Sequence, residues 1–441
     1  MSVEPSVKSS MQVVSIGPVS VEIPEDWDLV SLDEISENSG QYGANASAEA
    51  YDTSEFRYVR ITDISEEGEL KHDEKKSIPI DSNEKYRLEE GDLLFARTGA
   101  VGRSYLYSPE DSDIDCAFAG YLIRYKLDEN VCSEYISQFT GSQYFTKWVN
   151  SMARSTTHAN INASEYSSLE IPYPPLPEQR RIADILSTVD EQIQQTDEAI
   201  DKTKELKRGL MQDLLTEGIM HNEYKKIYLG PRRLDIPRGW KKARLEEVSE
   251  IITRGKQPTY VNEGGVPVLN QSCIYWNGFH PEELKRLDSE VADGWKDKYW
   301  VKEGDVLINS TGKGTLGRAL EWTKESDTHA LDSHITRVHP DKSVLDPTYF
   351  RFYLESNHGQ KMLYAFCVAG STGQIELSKT DLQTMPILLP PVEEQREISE
   401  AFHRVNKKLQ DEQETKEELQ ELKRGLMQDL LTGKVRVNTD D

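Results

Sequence analysis

The chain has 441 residues and a net charge of -25, from 52 Lys and Arg against 77 Asp and Glu. That length is too great for one ordinary core and points to two or three domains, while the lack of an apolar run near 18 residues or of an apolar leader excludes a membrane span or signal peptide and leads us to expect a cytoplasmic protein. Cys116, Cys132, Cys273 and Cys367 lack paired spacing, so they read as buried free thiols and not as a disulfide framework or thiolate zinc site.

In chain order, residues 1–22 read as a poorly ordered N-terminal extension. Residues 23–177 read as a mixed α/β domain. Its candidate strands at 56–64, 92–97, 103–107 and 121–127 are rich in aromatic and β-branched residues and bounded by Gly and Pro. A helix carrying Tyr135, Ile136, Phe139 and Lys147 follows, with apolar residues at helical spacing. The proline cluster that begins at Pro174 then ends the domain and lets a long helix start, predicted over 178–216. Along it Ile182, Leu186, Val189, Ile193, Thr196, Ile200 and Thr203 alternate steps of four and three, the a/d spacing of a coiled-coil seam.

The second half repeats the first. ELKRGLMQDLLT at 205–216 recurs unchanged at 421–432, and PPLPEQRRI at 174–182 matches PPVEEQREI at 390–398. At an offset of 213, IPEDWDLVSLDEI (23–35) matches IPRGWKKARLEEV (236–248), and EGDLLFARTG (90–99) matches EGDVLINSTG (303–312). The chain is therefore two copies of one unit. The second copy comprises a domain at 217–392, including a linker at 217–235, a long helix at 393–433 and a tail at 434–441. Its helix places Ile398, Phe402, Val405, Leu409, Glu412, Lys416 and Leu419 at the seam positions, so Glu412 and Lys416 make that stretch polar. Two such helices in matching register favour pairing with each other. The copies agree at their edges and diverge inside, the pattern of a common frame with different reading surfaces.

Charge is unevenly spread. Residues 1–177 hold 14 basic and 31 acidic groups, whereas 217–392 hold 23 and 24, and the eight basic residues between Lys225 and Arg244 face a single acid, Asp235. A local positive face is thus compatible with the acidic total. Catalytic signals dissolve on inspection. Gly312, Gly314 and Gly317 spell the outline of a dinucleotide loop, but the following segment reads as a strand and not a helix, so a turn near phosphate is the better reading. His329, His334 and His339 recur every five residues, a spacing that sets no metal geometry, and read as ordinary surface or core histidines. Neither a Walker loop nor a methyl-donor loop is visible.

Two variable domains that each open on IP-x-x-W, carry EGD before a TG turn and a GR pair, and close in a PP-x-x-EQ junction plus a long helix resemble the specificity subunits of type I restriction-modification systems. The junction residues are Pro174, Pro175, Glu178, Gln179 and Arg180, and Pro390, Pro391, Glu394, Gln395 and Arg396. The resemblance spans roughly 23–432. It implies an α+β protein in which two target-recognition domains, held apart by an antiparallel coiled coil of the two helices, read the halves of an asymmetric bipartite DNA site. It also implies a non-catalytic chain. Two adenine methyltransferase subunits and restriction (translocase) subunits would be its partners besides double-stranded DNA, and S-adenosylmethionine, ATP and magnesium would sit on those partners, with no cofactor or metal here. The acidity of the first domain departs from the expected basic face.

Contacts to base edges or phosphates call for Arg, Lys, Asn, Gln or Thr on exposed loops. The first copy offers Arg57, Arg60, Arg97, Thr98, Arg103, Thr157, Asn160 and Asn162; the second offers Arg254, Lys256, Asn270, Gln271, Thr311, Lys313, Arg318, Thr372 and Gln374. The apolar seam residues Ile182, Leu186, Val189, Ile193, Ile398, Phe402, Val405 and Leu409 are candidates for inter-helix or partner contact.

Overall fold

The computed structural model describes residues 10–153, 159–229, 232–324, 328–369 and 375–439. The chain forms two compact units, one made of 1–197 with 414–441 and the other of 198–413. Each unit thus takes the first half of one long helix and the second half of the other.

The first unit opens on a hairpin, Met11–Ile16 paired antiparallel with Val19–Pro24 about a turn at Gly17, whose φ is +56°. This corrects the expectation of a poorly ordered extension for the described part of 1–22. Val14, Ile16, Val19, Val21 and Ile23 alternate with exposed neighbours, and Ile16, Val21 and Ile23 are buried in the main core. Period-two alternation about Gly17 and Pro18 is a hairpin signal. After it, Asp28–Ser31 pairs with Glu170–Tyr173, so the two ends of the domain meet.

Two four-stranded sheets follow. One is wholly antiparallel, in the order Gln41–Tyr42, Leu122–Lys126, Asp92–Ala96, Ser104–Leu106. The other runs Cys116–Phe118, Phe56–Val59, Lys76–Ile78, Glu49–Ala50, with its first pair parallel. The expected strand at 56–64 ends at Val59, because residues Ile61–Asp63 close a 3-10 turn. Helices Ser133–Thr140 and Gln143–Ala153 cover the antiparallel sheet, packing Phe145 and Trp148 with Phe95 and Tyr166.

The second unit repeats this plan. The hairpin Tyr224–Leu229 with Arg232–Pro237 replaces the expected linker over much of 217–235. Lys241–Arg244 pairs with Pro386–Leu389. The antiparallel sheet is Ser249–Arg254, Ile335–Pro340, Val306–Asn309, Ala319–Glu321; the mixed sheet is Tyr260–Val261, Lys285–Leu287, Val266–Leu269, Ala330–Leu331. Helices Pro347–Glu355 and Asn357–Cys367 cover the antiparallel sheet.

The EGD motif has a structural role in both units. Asp92 pairs with Arg124 on the neighbouring strand at 3.0 Å, and Asp305 with Arg337 at 2.6 Å, all four side chains being buried. Burial outweighs the guanidinium at Asp92 and lifts its carboxyl above the usual range. The four cysteines are free and buried; burial pushes the Cys132 and Cys273 thiols up to about 11 and Cys367 to about 12, which keeps them protonated and inert.

The long helices are Leu176–Leu214 and Val392–Leu430, 39 residues each, or about 58 Å at 1.5 Å per residue. They pair antiparallel. In the first unit Asp190 meets Lys423 at 2.6 Å and Asp197 meets Lys416 at 2.7 Å, so seven residues forward on one helix match seven back on the other. In the second unit the Thr203 hydroxyl donates to Glu412 at 3.2 Å. The seam residues Ile182, Leu186, Val189, Ile398, Phe402 and Val405 are buried, whereas Ile193 and Leu409 are half-buried. The polar stretch expected at Glu412 and Lys416 is made of these ion pairs and hydrogen bonds.

Candidate nucleic-acid interface

At one end of the antiparallel sheet, each unit brings three loops together. In the first unit the TG turn follows Ala96; the backbone NH of Arg97 donates to Tyr121 O at 3.1 Å, and the NH of Ile161 donates to Arg97 O at 2.9 Å. The second unit makes the same two bonds, from Ser310 to His334 O and from Leu377 to Ser310 O, both at 2.8 Å. Thr98 bridges Asn160, and Thr311 bridges Glu376. The TG and post-helix loops, remote in sequence, therefore form one edge.

Arg97, Thr98 and Asn160 meet on this edge in the first unit. The Arg97 guanidinium lies over the Tyr42 ring at 4.7 Å and its Nε–H donates to Asn160 Oδ1 at 3.4 Å. In the second unit Thr311 donates to Gln271 Oε1 at 3.1 Å, Lys313 is exposed at the loop tip, and Arg318 stacks on Tyr275 at 4.8 Å. Arg254 donates through Nε to Ser333 O at 2.7 Å and pairs with Glu376, while Lys256 lies over Trp295 at 5.2 Å. The glycines at 312, 314 and 317 all have positive φ, and the turn runs into the strand Ala319–Glu321 and not a helix.

Five of the candidate contact residues are engaged within the chain, holding loops and caps. Arg57 is buried, bonding the carbonyls of Asp111 and Lys71. Arg60 pairs with Asp63 at 2.6 Å. Arg103 donates to the carbonyls of Ile61 and Ile64. Asn162 caps the helix Ala163–Ser167, and buried Asn270 caps the 3-10 turn Gln271–Cys273. Side chains needed to hold a tight loop look like loop-reading side chains in a bare sequence. Thr157, Thr372 and Gln374 lie outside the described residues.

The junction motifs form a lock in each unit. Trp27 Nε1–H donates to Glu178 Oε2 at 3.1 Å, and Arg436 pairs with both Glu178 and Asp26. Trp240 Nε1–H donates to Glu394 Oε2 at 3.0 Å, with His221 against Glu394 Oε1 at 2.7 Å. Gln179 accepts from Cys132 N and donates to Pro174 O; Gln395 accepts from Asp346 N and donates to Pro390 O. These fully buried amides fix the helix start to its own domain, which accounts for the W and EQ of the repeated motifs.

The leading hairpins differ most in charge. Lys226, Tyr228 and Arg233 are exposed on the outer face of the second, close to exposed Lys241 and Lys242, where the first has Val13, Ser15 and Ser20. Among the described residues no helix is long and apolar enough to cross a membrane.

The family model for the type I restriction modification DNA specificity domain matches residues 24–205 and again 237–421. A Methanocaldococcus jannaschii protein assigned as the MjaX type I restriction enzyme specificity subunit is 28% identical, over 95% of this chain and 96% of its own. The EcoKI specificity subunit of Escherichia coli K12 is 22% identical over 70% of each chain. In fold, the chain is similar to one solved in work on complex assembly and conformational transition of the type I R-M system, with a TM-score of 0.56 at 20% identity, covering 94% of this chain and 99% of that one. The S subunit from M. genitalium aligns with a TM-score of 0.55 at 15% identity, covering 92% and 96%.

Proposed function

The chain belongs to the type I restriction-modification DNA specificity family, and on that premise we propose that each unit reads one half of an asymmetric bipartite DNA site. The observation that carries this is the duplicated loop edge, identical in backbone bonding and different in side chains. Such a frame holds polar groups at fixed positions against base edges while allowing each copy its own sequence. The chain acts as a specificity subunit in the cytoplasm and does no chemistry itself. Methyl transfer to adenine, ATP hydrolysis and DNA cleavage belong to methyltransferase and restriction subunits, which carry S-adenosylmethionine, ATP and magnesium.

Two methyltransferase copies fit the repeated helix ends. Met211 and Leu215 bury one face of 205–216 in the second unit, and Met427 and Leu431 bury the same face of 421–432 in the first. Packing accounts for the identity of that face only. Leu206 and Leu422 are half exposed, and Arg208, Gln212, Arg424 and Gln428 are exposed as well. Two identical exposed faces suit two copies of one partner. Of the seam residues, Ile182, Leu186, Ile398 and Phe402 pack into the cores, which favours the inter-helix role for the seam.

The test is to map methylated adenines in a host carrying this chain with its methyltransferase subunit. Paired adenines in two half-sites of different sequence, separated by a fixed spacer, are expected. A heptad inserted in both helices adds about 10.5 Å at 1.5 Å per residue, at most roughly three base pairs at about 3.4 Å each, and should change or abolish the spacer while leaving the half-site bases alone. A single contiguous site, or purified chain that methylates DNA alone, would overturn the reading.

A further inference from the structure

Tyr121 and His334 occupy one place in the two copies of the frame. Each ends a turn that enters an inner strand of the antiparallel sheet, and its carbonyl takes the backbone bond from the TG turn described above. The surrounding bonds match one for one. Leu122 N donates to Ala119 O at 2.8 Å and Ile335 N to Asp332 O at 3.0 Å; Gly43 N donates to Leu122 O at 3.2 Å and Gly255 N to Ile335 O at 2.9 Å. A Cβ at Gly43 would stand 2.4 Å from Ala119 O, and one at Gly255 only 2.1 Å from Asp332 O, so both turns are closed on a glycine and held rigid.

Packing does not explain the side chains. Tyr121 is 65% exposed, although an aromatic ring of this size contributes most when buried. The His334 side chain is 46% exposed, and its ring is held from behind: Asp332, 2% exposed, accepts from His334 N at 2.7 Å and from His334 Nδ1 at 2.5 Å, and also from the Tyr260 hydroxyl. Ser333, between them, donates to Gln257 and accepts from Arg254. A buried carboxylate spent on orienting an exposed imidazole is preorganisation for a ligand. With Nδ1–H committed to Asp332, Nε2 is the ring atom left to meet a base edge, and as an acceptor it suits the exocyclic amino group of adenine or cytosine in the major groove. The Tyr121 hydroxyl can donate or accept, and its ring can meet a thymine methyl.

We infer that Tyr121 and His334 are specificity-determining residues, each reading a base edge in the half-site of its own unit, with Asp332 a positioning residue for His334. This rests on the DNA-reading function proposed above. The test uses the full chain assembled with its methyltransferase subunit, and methylated-adenine mapping of the parent beside Tyr121→Ala, Tyr121→Phe, His334→Ala and Asp332→Asn. Each alanine variant is expected to lose discrimination at one base pair of one half-site, by roughly 10- to 100-fold, with the other half-site unchanged. Asp332→Asn should relax the same base pair as His334→Ala, and Tyr121→Phe should separate hydroxyl from ring readout. The inference is overturned if the variants keep every base preference of the parent, or if they weaken binding uniformly at all sites, as a phosphate contact would. Because Tyr121 is mostly exposed and belongs to no core cluster, Tyr121→Ala keeps the test open even if Asp332→Asn fails to fold. A parent that yields no bipartite methylation at all would instead remove the proposed function itself.

Discussion

In the first unit the loop edge presents Tyr42, Arg97, Tyr121 and Asn160 on a segment holding 31 acids and 14 bases; in the second it presents Arg254, Thr311, His334 and Glu376 on a segment close to neutral. Beneath those edges the Asp–Arg pair, the Trp–Glu bond and the Gln tether are the same in both. The side chains of these contacts stay equal because each is packed into the frame and hydrogen-bonded, where change is costly. Positions that differ lie on the loop edge, where the matched backbone bonds hold the frame whatever the side chain, so they change without harming it.

The largest effects should come from the shared frame and be equal in the two units. Asp92→Ala and Asp305→Ala each leave a buried guanidinium unpaired, which costs about 3–5 kcal/mol. Denaturant unfolding of both variants checks this; a loss in one unit only would mean that the frames are not equivalent.

A smaller effect should separate the units. Arg97 has no acidic partner among the described residues, whereas Arg254 is neutralised by Glu376. Arg97→Ala should make the salt dependence of DNA binding shallower by about one unit of slope, because one phosphate contact is lost, and Arg254→Ala should change it less. Lys226→Ala with Arg233→Ala tests whether the second unit draws its phosphate contacts from its leading hairpin instead. Equal slopes for Arg97→Ala and Arg254→Ala would break the distinction.

The smallest effect concerns the locks. The hydrogen bond from Arg436 holds the Asp26 carboxyl below its usual range, a lowering that gives the folded state stability above the unfolded value of about 3.9. That contribution is lost as pH falls through the lowered value. Asp26→Asn should therefore flatten the acid limb of the first unit slightly and leave the second unit, whose lock uses His221, unaffected, as read from pH-dependent unfolding.

Much of this organisation was legible in the sequence. The duplication, the junctions and the a/d seam are carried by identities and by periods of four and three, which survive without a structure. The hairpin at Met11–Pro24 was also written there, as alternation around Gly17, but a short alternating run beside a chain terminus was outweighed by its polar start. The site was less legible. Arg57, Arg60, Arg103, Asn162 and Asn270 have the right chemistry for DNA, and only their partners reveal that they serve loops and caps. Tyr121 and His334 are less legible for the converse reason: Tyr121 reads as the first residue of a strand and His334 as one of three ordinary histidines, and what marks them is an equivalent place at an offset of 213 together with exposure, the second of which is a property of the fold. Arg124 and Arg337 stand at that same offset, so the buried pair with each EGD aspartate had a signal in the repeat.

The most direct test of separate reading is to exchange residues 217–392 for the matching domain of a relative and map the methylated adenines. One half-site should change to that of the donor, with the other half-site kept as in the parent. A change in both half-sites, or in neither, would contradict the account.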